Sequence, residues 1–192
     1  MASPSEYPQI TSERSLGGMA ITALAALFSL AALGGSLYLS MGMGLRACPF
    51  CFYQRTLVMG VVAILWLGLL LPGIRASALN VLALPLAVGG LAIAGWHCYL
   101  ECTGVMECPA GVFALGTAPQ QSLASYVAMT ALIALGLAMD AKRRTGDLAV
   151  AVVAVVLGAL FAVSGIRSSP KSVGPDYTVP VDQDGCRKPM AQ

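Results

Sequence analysis

Polar positions in this chain are few and bunched, and five long apolar stretches run between them. The first extends from about Leu16 to Met43 and the second from about Thr56 to Leu71, with Phe52-Tyr53-Gln54-Arg55 at its start. The third covers Ala78 to Trp96, with Pro85 inside, and the fourth Leu123 to Met139. The fifth is Leu148 to Gly165, "LAVAVVAVVLGALFAVSG". About 20 mostly apolar residues cross a bilayer as a helix. Hydrocarbon offers the backbone no water to bond to, so each stretch is predicted to be helical. Gly and Ala recur within the runs, which suits close helix packing in lipid. The predicted fold class is all-α, an integral membrane helical bundle.

Composition agrees with the pattern. The 192 residues are 57% hydrophobic and 10% charged, against about 25% charged in a soluble domain, and the mean hydropathy is positive. Too little polar surface remains to cover a water-soluble globule, so membrane lipid is the expected surrounding. The net charge of +2 contains no basic block, which argues for no nucleic acid partner. The length suits one compact domain. The first run is too long for a secretory signal, has no basic segment before it, and follows about 15 polar residues.

Loop charges give an orientation. Arg14 precedes the first span, Arg75 separates the second from the third, and Lys142, Arg143 and Arg144 separate the fourth from the fifth. The positive-inside rule puts these segments in the cytoplasm, with the N-terminus inside and the C-terminus outside. The loop from Cys98 to Ser122 has no Lys or Arg and carries Glu101 and Glu107, as an outer loop should. Arg46, Arg55, Arg167, Lys171, Arg187 and Lys188 reduce this bias, and the basic triplet outweighs them.

With that topology all six cysteines, Cys48, Cys51, Cys98, Cys102, Cys108 and Cys186, fall on the outer side, where disulfides persist. Cys48 and Cys51 lie in "RACPFCFYQRT", with Pro49 between them. Proline is favoured at the first helical position, so a helix is predicted to start here, with the positive end of its dipole near the thiols. That end stabilises a thiolate. Arg55 follows Cys51 by four residues and shares its helix face. A fixed guanidinium there favours a thiolate and attracts a polar ligand. The bland alternatives are structural or buried cysteines and an arginine that snorkels to the interface.

The run Cys48-Pro49-Phe50-Cys51-Phe52-Tyr53-Gln54-Arg55, placed after the first span and before the second, resembles the DsbB family, disulfide bond formation protein B. The resemblance covers about Leu16 to Met139. It implies a bacterial inner-membrane, multi-pass thiol:quinone oxidoreductase that reoxidises a periplasmic, DsbA-like thioredoxin-fold dithiol oxidase. It implies that Cys48 and Cys51 cycle between dithiol and disulfide, that Cys51 faces a ubiquinone or menaquinone, and that Arg55 helps to bind it. His97, the only histidine, stands where the family has a histidine near the quinone head group. A lone histidine at a span end is otherwise an interface residue. Taken with the apolar runs and loop charges, the expected organisation is a cytoplasmic N-terminus over 1–15 and a four-helix core, the part that carries the resemblance, over 16–139. A basic linker and fifth transmembrane helix cover 140–166, and a periplasmic tail covers 167–192.

The chain departs from the family in having a fifth span and a tail. Its outer cysteines are crowded into "HCYLECTGVMECPAG", with Cys186 alone far downstream. Four cysteines allow three pairings. Cys108 is the residue most expected to exchange with a partner, and Cys102 or Cys186 is its expected mate. Cys98 is too close to the bilayer to meet a soluble protein. Two other functions fit parts of the pattern. His97, Cys98, Cys102, Met106 and Cys108 form a soft-ligand set suited to copper(I), although Arg55 disfavours a cation nearby. Vitamin K epoxide reductase-like enzymes also join quinones to membrane thiols, but keep the quinone-facing pair near a late span.

Overall fold

In the computed structural model the described residues are 16–71, 74–139, 145–168, 185–187 and 189. They form α1 (Leu16–Met41), α2 (Pro49–Leu70), α3 (Ala76–Cys102), a 3-10 turn (Val112–Ala114), α4 (Ala118–Met139) and α5 (Thr145–Ser168). The chain is an all-α bundle. Helices α1 to α4 are each long and apolar enough to cross a membrane, and the described apolar part of α5 is shorter, Val152–Arg167. The chain is therefore a multi-pass membrane protein. The expected cytoplasmic N-terminus 1–15, the triplet Lys142-Arg143-Arg144 and tail residues 169–184 lie outside the described residues.

Two helices extend further than the apolar runs indicate. Helix α2 starts at Pro49 rather than near Thr56. Cys48 is extended (φ −69°, ψ 162°) and its sulfur accepts the Cys51 N–H at 3.2 Å, a cap that satisfies one of the first free amides. Helix α3 continues past Trp96 to Cys102, so His97, Cys98 and Cys102 are helical residues.

Helix α3 is the hub. It packs against α2, α4 and α5, while α1 packs against α2 and α4. Apolar side chains gain little from leaving lipid for protein, so close fit must hold the helices together. Glycines make the fit. A Cβ on Gly158 of α5 would sit 2.6 Å from the Pro85 carbonyl oxygen of α3, so only glycine permits that crossing. A Cβ on Gly90 would strike the ring of Tyr126, which lies in the notch that Gly90 leaves. Deep in the core Asn80 donates to the Thr22 hydroxyl at 2.8 Å, a polar clasp between α3 and α1.

Candidate functional site: a sulfur cluster beside a cavity

The α1–α2 and α3–α4 loops and the segment after α5 meet at one end of the bundle. Cys48 is held by its cap and is 6% exposed. Its sulfur is 2.7 Å from that of Cys51, so little movement separates the free pair from a disulfide. The hydrogen bond to Cys51 and then burial push the Cys48 thiol above the usual thiol range.

Cys108 is disulfide-bonded to Cys186 across 78 residues of sequence. Backbone bonds fasten both sides of this link. Glu107 N–H donates to the Arg187 carbonyl at 2.7 Å, and Arg187 N–H donates to the Glu107 carbonyl at 2.9 Å. Gly185 has φ +77° and lies against the Arg46 carbonyl, leaving no room for a Cβ. On the other flank, Gln121 ties the α3–α4 loop down through Val112 and Leu115, each at 2.8 Å.

His97 joins the two pairs. It is fully buried, and its Nε2 lies 3.2 Å from the Cys186 sulfur, 3.6 Å from Cys108 and 3.8 Å from Cys48. Phe50, inside the C-x-x-C motif, packs on the imidazole with centroids 5.4 Å apart. The ligand atoms of Cys48, Cys51, His97 and Cys186 all lie within 4.8 Å of one another.

A cavity of about 450 Å³ opens beside this cluster between α1, α2 and α4. Cys51, Gln54, Arg55, Tyr126 and Cys186 are among its walls, and His97 is not. Arg55 reaches to α1, where Nε donates to the Ser36 hydroxyl (3.2 Å) and Nη2 to the Ser36 carbonyl (2.9 Å) and Ser40 hydroxyl (2.6 Å). These bonds engage Nε and Nη2 of a guanidinium that also lines the cavity. Gln54 is 6% exposed; its Oε1 accepts from Ser122 at 2.7 Å and its backbone carbonyl accepts from Tyr126 at 2.5 Å. Its Nε2 is buried without a hydrogen-bond partner. A buried orphan donor is costly unless a ligand satisfies it. Sequence reasoning missed Gln54, Ser36, Ser40 and Ser122. The available signal was their polarity inside apolar runs, with Gln54 beside Arg55.

Cys98 and Cys102 stand apart. They are free, 3.9 Å apart on the flank of α3, with Cys102 exposed. Of the soft-ligand set considered for copper(I), His97 and Cys108 come together, while Cys98 and Cys102 form a separate pair.

A membrane helical bundle with two thiol pairs in contact, one of them on the wall of a cavity that lies among its helices, belongs to the class of membrane thiol–disulfide proteins. Comparison with known proteins narrows the class. The family model described as "Disulfide bond formation protein DsbB" matches residues 19–125, and the chain belongs to this family. Disulfide bond formation protein B of Methylococcus capsulatus is 37% identical over 94 residues, covering 45% of this chain and 56% of the relative. Disulfide bond formation protein B 1 of Pseudomonas putida is 32% identical over 89 residues, covering 44% and 51%. The protein of that name from Pseudomonas aeruginosa is 36% identical over 89 residues, covering 45% and 55%. The chain spans about half the length of the curated relatives it matches. No solved structure matches it significantly.

Proposed function

We propose that this protein is a membrane thiol:quinone oxidoreductase that reoxidises a DsbA-like periplasmic dithiol protein. The observation that carries the reading is the contact of the Cys108–Cys186 disulfide with the Cys48/Cys51 pair, on a cavity wall that also presents Arg55 and Gln54.

The relay begins when a thiolate of the reduced partner attacks the Cys108–Cys186 bond. Two electrons enter, the partner leaves as its disulfide, and Cys108 and Cys186 become thiols. The Cys186 thiolate then attacks Cys48 of an oxidised Cys48–Cys51 pair, forming a mixed disulfide and releasing Cys51 as the leaving thiolate. Cys108 resolves the mixed disulfide, which regenerates the outer bond. His97 Nε2, beside the sulfurs of Cys186, Cys108 and Cys48, is placed to accept a proton from Cys186 and return it to Cys48. Cys98 and Cys102 take no part.

The cavity fits a quinone. Its volume is within the usual range for small-molecule sites, about 300–1,000 Å³. Its walls are mainly apolar, and the orphaned Gln54 amide and the Arg55 guanidinium are hydrogen-bond donors suited to carbonyl oxygens. A bound ubiquinone or menaquinone supplies the two-electron acceptor. The side chains do the rest. Arg55, braced by Ser36 and Ser40, holds positive charge where negative charge develops. Gln54, braced by Ser122 and Tyr126, orients the ring. Cys51 presents its sulfur on the same wall.

The proposed location is the bacterial inner membrane, with the sulfur cluster on the periplasmic side. The purified full-length chain should oxidise a dithiol protein with stoichiometric loss of quinone absorbance, and a membrane-impermeant thiol label should reach Cys186 in intact, reduced spheroplasts. Absence of quinone loss in a preparation that retains the Cys108–Cys186 disulfide would refute the activity. Labelling of Cys186 only after lysis would refute the orientation.

A further inference from the structure

We infer that the fully reduced protein has a soft-metal site, for Zn²⁺ or Cu⁺, formed by Cys48, Cys51, Cys186 and His97, and that an ion bound there stops the relay. The inference uses the relay reading only to name the reductant that opens both disulfides.

Geometry is the first support. The four ligand atoms lie within 4.8 Å of one another, with His97 Nε2 3.8 Å from the Cys48 sulfur and 3.2 Å from the Cys186 sulfur. A tetrahedral zinc site with Zn–S near 2.3 Å and Zn–N near 2.0–2.1 Å has edges of about 3.5–3.8 Å. The His97–Cys186 separation of 3.2 Å is slightly short for this, and the Cys48–Cys51 separation of 2.7 Å is shorter still. Opening the latter by about 1 Å, to the edge that the tetrahedron needs, asks for a side-chain rotation in the first turn of α2. Three sulfurs and one imidazole are a ligand set preferred by zinc, and thiolates also select Cu⁺.

Persistence is the second. Reduction of the Cys108–Cys186 bond does not remove the paired backbone bonds between Glu107 and Arg187, so Cys186 keeps its place beside His97. The Cys51 N–H bond to the Cys48 sulfur at 3.2 Å lies within the first turn of α2, so Cys48 also keeps its place when the outer bond opens.

Charge is the third. Three thiolates around Zn²⁺ carry a net charge of about −1, and around Cu⁺ about −2, by the ligand charges that metal binding requires. Arg55, one turn beyond Cys51, is then a countercharge to the complex rather than a competitor of the ion. The steps balance. A dithiol gives each disulfide two electrons and two protons and becomes a disulfide itself. Metal binding moves no electrons and displaces the three thiol protons. With Cys48 and Cys51 ligated, neither sulfur can pass electrons on.

The test uses full-length protein in detergent, reduced with a phosphine under argon, desalted, and equilibrated with Zn²⁺ alone or Cu⁺ alone, with bound metal counted by mass spectrometry. The expected result is one equivalent on the reduced chain and none on the oxidised chain. Co²⁺ substituted at the site should show thiolate-to-metal charge-transfer absorption. Loss of a direct ligand exceeds the 10–100-fold cost typical of outer-shell changes. Cys186→Ser and His97→Ala should therefore each weaken binding by about 100-fold or more, and Cys186→Ser serves if His97→Ala fails to fold. The Cys98→Ser, Cys102→Ser double variant should keep the full equivalent. Failure of the reduced chain to take up either ion overturns the inference, as does binding lost in the double variant. Dithiol–quinone turnover measured on the same metal-free preparation separates the two readings. Activity without metal uptake sinks the metal site alone, and metal uptake without activity sinks the relay alone.

Discussion

His97 and Cys98 are neighbours on α3 and stand in different chemistry. Successive helical residues are about 100° apart, and that rotation turns His97 into the bundle and Cys98 onto its flank. His97 is fully buried and meets sulfurs from the start of α2, from the α3–α4 loop and from the chain beyond α5. The sulfur that Cys98 meets among the described residues is that of Cys102, one turn along the same helix, at 3.9 Å. Both regions bring thiols together. Only the first does so from separate elements, out of water and on a cavity wall. Proximity of two cysteines is therefore weak evidence for electron transfer, and convergence on a buried histidine beside a cavity is much stronger evidence.

The largest test of this contrast is removal of the sulfurs. Cys48→Ser or Cys51→Ser should reduce dithiol-dependent quinone turnover by about 10³-fold or more, the scale expected when a nucleophile that acts as part of a unit is lost. The Cys98→Ser, Cys102→Ser double variant should stay within about twofold of the parent, since it removes no group of that unit. Equal losses in both would erase the distinction between the regions.

Next come the cavity donors. Arg55→Ala should raise the KM for quinone by about 10–100-fold, the range for one charge-assisted hydrogen bond of about 1.5–3 kcal/mol. Gln54→Leu should raise it by about tenfold, equivalent to 1.4 kcal/mol, with the KM for the dithiol partner unchanged in both. Lysine at 55 should recover only part, because it lacks the planar fork that spans Ser36 and Ser40. A parallel rise in both KM values would show damage to the bundle instead.

Smaller effects belong to the supports. Tyr126→Phe removes the bond to the Gln54 carbonyl and should cost about 1 kcal/mol, read as a fall in Tm and a modest rise in quinone KM. Glu107→Ala removes only a 4.0 Å ion pair to Arg187. At about 0.5 kcal/mol or less for a partly exposed pair, it should leave the alkylation rate of reduced Cys186 within about twofold. A large acceleration would mean that the side chains, rather than the paired backbone bonds, hold the tail against the cluster.

Much of this protein was legible without coordinates. Whether a segment prefers lipid is a local property, so the five apolar runs located the helices. The start of α2 was also readable, because Pro49 acts within one turn, and Arg55 had to follow Cys51 on the same face. The end of α3 was less so. His97 to Cys102 continue the helix where the apolar run stops, since their backbone bonds are made within the helix whatever the side chains prefer.

Contacts between distant segments were decided only by the tertiary structure. Cys102 and Cys186 were equal candidates to pair with Cys108, and the choice of Cys186 depends on a backbone pairing between Glu107 and Arg187 that no local pattern encodes. Gln54 looked like a spacer in a motif until Ser122 and Tyr126 of α4 were seen to brace it and leave its amide unpaired on a cavity wall. His97 was read as a candidate for the quinone, and the fold surrounds it with three sulfurs instead of the cavity lining. The physical reason is common to all three. Hydropathy and caps act over a few residues, whereas a site made where four segments meet depends on how glycine notches such as Gly90 and Gly158 let the helices approach.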